Sequence, residues 1–182
     1  MSHLAAGALL LSGACQASTF LYTNSPCVYL IDSNGVAPSA TLLGPTGTFS
    51  GSITVPVSVK SSLFVVTAVA PVAFKGCGLS AFSLDASSKV AVIGEGAFWG
   101  CTNLTSVTLR ASVTNLGVSA FLDCGALASV NLSVATGLTE VADQAFCGCA
   151  SLTALSLPEA VSRVGASAFR DCRALAALAL PS

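Results

Sequence analysis

One short pattern recurs five times along this chain. Ala-Phe-x-x-Cys stands at Ala73-Phe74…Cys77, Ala97-Phe98…Cys101, Ala120-Phe121…Cys124, Ala145-Phe146…Cys149 and Ala168-Phe169…Cys172, and the five Phe residues lie 24, 23, 25 and 23 positions apart. Five residues before each Phe stands Val69, Ile93, Leu116, Val141 or Val164; three residues earlier again stands Val66, Val90, Val113, Leu138 or Val161. After each Cys comes Leu-x-x-Φ-x-Leu, with Φ apolar: Leu79-Phe82-Leu84, Leu104-Val107-Leu109, Leu127-Val130-Leu132, Leu152-Leu155-Leu157 and Leu175-Leu178-Leu180. Length changes are confined to junctions. Two extra residues fall between Leu84 and Val90 and two between Leu132 and Leu138, and one is missing between Cys77 and Leu79.

A unit of this length cannot bury its apolar positions alone, whereas stacked units form one continuous core. The Φ-x-Leu at the end of each hexad has period two and reads as a short strand with those side chains inward, paired to its neighbours about 4.8 Å away. The stretch 93–101 is spaced for a turn of helix or irregular coil with Ala and Phe inward. The expectation is an α/β solenoid with a parallel sheet on one face, short helical or irregular segments, and a β-rich N-terminal cap.

The pattern L-x-x-V-x-L…V-x-x-I-G-x-x-A-F-x-x-C-x-x-L resembles the BspA-like leucine-rich repeat family of surface proteins. Gly is kept at Gly94, Gly117 and Gly165 and replaced by Ala70 and Ala142. Upstream, Val28-Tyr29-Leu30-Ile31 reads as a first strand, and residues 47–56, GTFSGSITVP, are similar to the family's Tyr-Ser-Gly-x-Val-x-Ile-Pro signature. The resemblance implies a right-handed solenoid and an interaction or adhesion role at the cell surface or in secreted form. Residues 18–65 are expected to form the cap and residues 66–182 five repeats of 23–25 residues. Ala and Ser stand where that family usually has Lys, Asp and Asn.

Composition narrows the function classes. Hydrophobic residues make up 53% of the chain and charged residues 8%, with a net charge of −1. No basic field is present to hold a phosphate backbone, so nucleic acid is not an expected partner. After residue 22, Ser, Thr, Gly and Pro interrupt every apolar stretch, so no transmembrane span of roughly 20 apolar residues is expected there. Residues 1–17, MSHLAAGALLLSGACQA, differ: an apolar run over 4–11 precedes small residues at Cys15 and Ala17, which suits a signal peptide cleaved before Ser18. The n-region has His3 but no Lys or Arg. A lipid anchor on Cys15 and an ordinary apolar segment are the alternatives.

The repeated Cys is the first candidate for chemistry. Metal sites want C-x2-C pairs converging from one loop, whereas spacings near 24 make a ladder, and parallel Cβ vectors oppose disulfide geometry. Buried thiols that fill a column are therefore expected at Cys77, Cys101, Cys124, Cys149 and Cys172, with no metal and no cofactor. Cys147 shares its position with Lys75, Trp99, Leu122 and Arg170 and should face solvent; Cys27 falls in the first strand. His3 is the only His, and Asp and Glu are scattered, so no Ser/His/Asp or Cys/His arrangement is expected. Asp123 and Asp171 precede ladder Cys residues two coils apart and read as solvated turn residues. An enzyme is not expected.

Binding remains. With Leu104, Val107 and Leu109 inward, Thr105, Ser106, Thr108 and Arg110 point out, and the column Ser83, Thr108, Asn131, Ser156, Ala179 runs down the sheet. The candidate partner-binding residues are Ser83, Ser106, Thr108, Arg110, Ser129, Asn131 and Ser156 on this face, for a protein or cell-surface ligand. Trp99 and Leu122 form a second candidate patch on the opposite side, with packing of Trp99 over its own coil as the alternative. Leu180-Pro181-Ser182 follow a strand without a polar cap. A self-associating scaffold that stacks through the C-terminal end, or a piece of a longer array, is thus the competing expectation.

Overall fold

The computed structural model describes residues 19–24, 26–33, 39–47, 49–59, 63–176 and 178. The expected signal peptide and the residues 179–182 lie outside these. The chain begins with strands β1 (Thr19–Asn24) and β2 (Cys27–Asp32), which pair antiparallel with Asn24 opposite Cys27. The Cys27–Asp32 strand is therefore the second strand, not the first: Pro26 between the two lets the chain reverse. Strand β3 (Ser39–Pro45) continues this sheet, and β4 (Ser50–Val55), β5 (Ser58–Val59) and β6 (Phe64–Val69) lead into the repeats.

From there the chain winds as a parallel β-solenoid of about five turns. The hexads form β7 (Gly78–Leu84), β9 (Ser106–Thr108), β11 (Ser129–Asn131) and β13 (Ala154–Ser156); shorter strands β8 (Val92–Ile93), β10 (Asn115–Leu116), β12 (Glu140–Val141) and β14 (Arg163–Val164) precede each turn. The hexad strands form one parallel sheet in the order β13-β11-β9-β7-β4. A second ladder, not expected from the sequence, joins β3, β6, β8 and β10 in parallel, while β12 pairs with β14. Period two is hard to read in elements only two residues long.

Of the two expectations for the 93–101 stretch, a turn of helix or irregular coil, the helix is not found: no helix occurs among the described residues, and the α/β description falls with it. The backbone bonding explains why. In the first turn, Ala73, Lys75 and Cys77 donate N–H three residues back, to Ala70, Val72 and Phe74, whereas Val72, Phe74 and Gly76 donate to Glu95, Ala97 and Trp99 of the next coil at 2.7–2.8 Å. The alternation recurs at Phe98, Phe121 and Phe146. A helix keeps its N–H groups inside its own segment; here half of them are turned along the stack. The turning needs left-handed residues two before and two after each Phe: Val72, Gly96, Ser119, Gln144 and Ser167 on one side, and Gly76, Gly100, Asp123, Gly148 and Asp171 on the other, with φ between 51° and 76°.

The core is a set of columns. Phe74, Phe98, Phe121, Phe146 and Phe169 stack with centroids 5.3, 5.0, 5.3 and 5.7 Å apart and planes within 9°. The coil spacing imposes this near-parallel stack, and Phe82 packs edge-on to Phe74 and Phe98 at 5.8 and 4.7 Å, the geometry aromatic pairs favour. The expected inward positions are buried through the fourth coil, apart from the half-buried Ala73, Cys77 and Leu157. In the fifth only Val161 and Ala168 are: Val164 is 41% exposed and Phe169, Cys172 and Leu175 are half-buried, since no described coil lies beyond them.

Phe121 is fully buried between two stacked rings, so Phe121→Ala should cost about 3–5 kcal/mol. In a chain of this size that lowers the thermal midpoint by about 6–20 °C, readable by calorimetry; a midpoint that barely moves would contradict the column. Among the described residues Val72 is the one β-branched residue at a left-handed position, and it is half exposed (51%), so it bears backbone strain with little burial to offset it. Val72→Gly, matching Gly96, should therefore raise the midpoint by about 2–4 °C, for a gain of about 1 kcal/mol.

Candidate functional site

The thiol column was the first chemical candidate. Cys101, Cys124 and Cys149 are buried, Cys77, Cys147 and Cys172 are half-buried, Cys27 is buried in β2, and all seven are free thiols. Each ladder thiol donates to the carbonyl of the Phe one coil earlier: Cys101 to Phe74 at 2.9 Å, Cys124 to Phe98 at 3.1 Å, Cys149 to Phe121 at 3.2 Å and Cys172 to Phe146 at 3.0 Å. The last residue of the turn thus adds a side-chain donor to a Phe carbonyl that already accepts a backbone N–H from its own coil, a bond Ala would not supply. The sequence reading had the thiol as filler and missed this role. It also missed the extension into the cap, where Cys77 donates to Phe49 at 3.3 Å. Phe49 stands 25 residues before Phe74, inside the repeat period, and that spacing was the available signal.

Burial suppresses thiolate chemistry in this column. Desolvation lifts Cys27 to about 11 and Cys101 to about 12 from an ordinary value of 9.0, and lifts Cys124 and Cys149 further. Cys147 is also raised, chiefly by burial, although Arg170 opposes the shift. The thiolate is the nucleophile and the metal ligand, so these groups are poor at both near neutral pH. Among the described residues no group of three or more His, Cys, Asp or Glu side chains is placed to hold a metal ion, and no helix is long and apolar enough to cross a membrane.

The hexad sheet carries the candidate binding face. Its register sets Thr54 beside Ser83 and Ser83 beside Thr108, and Asn131 beside Ser156; the next column sets Ser52, Ala81, Ser106, Ser129 and Ala154 side by side. Ser106, Thr108, Ser129, Asn131 and Ser156 are exposed, as read from the alternation. Ser83 is half-buried and its hydroxyl lies 2.8 Å from that of Thr54. Asn131 Oδ1 accepts from the Ser133 N–H at 3.0 Å and hydroxyl at 2.6 Å.

Arg110 is half-buried, and its Nε donates to the carbonyls of Leu84 and Asp85 at 3.1 and 3.3 Å, so its head group is tied to the preceding coil. Ser52 and Thr54 were not read as part of this face. Their signal was the alternation of Ser52-Ile53-Thr54-Val55, whose Ile53 and Val55 are buried like Val107 and Leu109. On the turn side, Lys75 Nζ lies 3.6 Å above the Trp99 ring, so that face of the indole is already occupied by a cation–π contact. Trp99 is 38% exposed and Leu122 is half-buried.

A family model described as the BspA type leucine rich repeat region, in six copies, matches residues 67–182. The chain belongs to the BspA-type leucine-rich repeat family. No curated protein matches it. Its fold is similar to that of a leucine rich cell surface protein from Faecalibacterium prausnitzii, with a TM-score of 0.58 and 23% identity over 86% of this chain and 53% of that one. The pneumococcal vaccine antigen PcpA is similar with a TM-score of 0.54 and 19% identity over 83% of this chain and 47% of the other. The chain thus spans about half the length of these two. A leucine rich repeat protein of T. pallidum matches at 28% identity and a TM-score of 0.43 over 84% of this chain and 90% of that one.

The thiol column makes a pH prediction for this BspA-type repeat. A buried thiol with a raised pKa keeps its proton in the folded state and loses it in the unfolded state between the two values. Folded protein then binds more protons, and stability falls as pH rises. The window opens near 9.0 and extends to about 11 for Cys27 and about 12 for Cys101. Each such thiol should remove about 1.4 kcal/mol per pH unit. Urea unfolding at pH 8 and pH 10.5 should show a steep loss that is shallower in Cys124→Ala; equal midpoints at the two pH values would exclude buried thiols.

Proposed function

We propose that this chain is a non-catalytic interaction module that presents its hexad sheet to a protein partner. The observation that carries the reading is the uninterrupted parallel face from Ser52 to Ser156, on which short hydroxyl and amide side chains stand in register and no carboxylate or ammonium stands among the column residues. Repeat solenoids use such extended faces for partners, because adjacent coils add area without adding conformational freedom. Contact on this face would rest on shape and hydrogen bonds. Membership of the BspA-type family, and similarity to a protein described as a cell surface protein and to a vaccine antigen, support placing the module in secreted form or at a cell surface. We assign the cap to residues 18–65 and the repeats to 66–182.

The test is capture from cell-surface extracts on the immobilised protein, repeated with Thr108→Lys and Asn131→Lys. A partner held by the unaltered protein and weakened at least tenfold by both substitutions, with thermal midpoints unchanged, supports the face. Binding that both variants retain overturns it. Because Arg110 is the one charged side chain among the candidate residues of this face and its Nε is tied to the Leu84 and Asp85 carbonyls, raising salt from about 50 to 500 mM should change the affinity less than about twofold.

A further inference from the structure

One junction between coils lacks bonds that the others have. On the short-strand ladder, the N–H seven residues before Phe donates one coil back: Ala91 to Thr67, Thr114 to Ala91 and Ser162 to Thr139, at 2.8–2.9 Å. The N–H four before Phe does the same: Gly94 to Val69, Gly117 to Ile93 and Gly165 to Val141, at 2.7–2.9 Å. Between the third and fourth coils neither bond forms, because Thr139 and Ala142 do not reach Thr114 and Leu116. Accordingly β12 pairs with β14 and not with β10. The rest of this junction is closed. Ser119, Phe121 and Asp123 donate to Asp143, Ala145 and Cys147 at 2.8–3.0 Å, and β11 pairs with β13. The gap is a cavity of about 400 Å³ whose walls include Glu95, Thr114, Asn115, Leu116, Thr139 and Glu140.

A single methyl group accounts for the gap. A Cβ on Gly94 would meet the Ala70 carbonyl carbon at 2.5 Å, one on Gly117 would meet Glu95 N at 2.5 Å, and one on Gly165 would meet the Ala142 carbonyl carbon at 2.7 Å. These are backbone atoms and cannot swing aside. Ala142 holds the same place in the fourth coil and carries that Cβ, so it cannot approach Gly117 and Val118 as a glycine would. The two-residue insertion before Leu138 is not the cause, since the second coil has the same insertion before Val90 and, with Gly94, a closed ladder. Ala70 keeps its bond to Leu42 at 2.8 Å because the cap strand, not a repeat turn, lies behind it.

We infer that Ala142 is a wedge that makes this junction a hinge, with the hexad sheet and the turn as its closed side and the short-strand ladder as its open side. Unmatched backbone groups already face the cavity, so opening there breaks no ladder bond, whereas opening any other repeat junction breaks at least two. The hinge lies behind the step from Asn131 to Ser156, and flexing it would change the curvature of the sheet at that point. The inference rests on the ladder alone and stands whether or not that face binds a partner.

Amide hydrogen exchange on the full chain, resolved by residue, tests it. In the unaltered protein Thr139 and Ala142 should exchange at least tenfold faster than Thr114 and Gly117. Ala142→Gly should close the ladder and bring the amides at 139 and 142 to within about threefold of those at 114 and 117. Equal protection of the two pairs in the unaltered protein, or fast exchange persisting in Ala142→Gly, overturns the wedge. Gly117→Ala should open the junction between the second and third coils and speed the amides at 114 and 117 at least tenfold; if that variant does not fold, the Ala142→Gly arm decides.

Discussion

Each of the first four coils of this protein leaves half of the N–H groups of its turn for the next coil to accept. The donors at Val72, Phe74 and Gly76 find carbonyls on Glu95, Ala97 and Trp99, and the row recurs up the stack. A buried N–H without a partner is costly, so a coil with this backbone is stable only with another lying in register upon it. The other regularities follow from that constraint. The distance between successive coils sets the Phe stack at 5.0–5.7 Å. The two left-handed residues of each turn aim alternate N–H groups along the axis. The Phe carbonyl accepts a backbone N–H from its own coil and a thiol from the next.

The same constraint explains why a chain with so little charge folds into an ordered array. Close coil-to-coil approach at Gly94, Gly117 and Gly165 leaves no room for a Cβ, and the end of the turn is filled by the small Cys side chain, whose thiol donates to the coil before. Bulk is concentrated in the Phe and Leu columns, and the outward positions of the hexads are left to Ser, Thr, Ala and Asn. The surface is therefore flat and short of the aromatic and Arg anchors that dominate many interfaces; what it offers is repetition in register. Trp99 and Arg110, the two candidate residues with the right chemistry for an anchor, are partly occupied by Lys75 and by the carbonyls of Leu84 and Asp85.

Much of this was legible in the residues. Leu104-x-x-Val107-x-Leu109 announces a strand with its apolar side chains inward, and the strand is there with Ser106 and Thr108 exposed. Five Phe residues in register announce a column. What was misread shares one feature: it belongs to pairs of coils. The 93–101 stretch has spacing that suits a helical turn, and only the acceptors on a neighbouring coil divert its N–H groups. Arg110 looked free because the carbonyls it caps lie 25 and 26 residues earlier in the chain. Phe49 was passed over because its partner, Cys77, is 28 residues away.

The sequence by itself determined the period, the inward and outward columns of the hexads and the membership in a repeat family, because these depend on which side chains recur and how far apart. Only the tertiary structure decided that the turn is not a helix, that the ladder thiols are donors, and that the second ladder is split at Ala142. Each of those outcomes turns on where one backbone lies against another. A Gly-to-Ala change is nearly silent in a hydrophobicity pattern, yet in a stack whose coils meet backbone to backbone one methyl group separates a closed ladder from an open one.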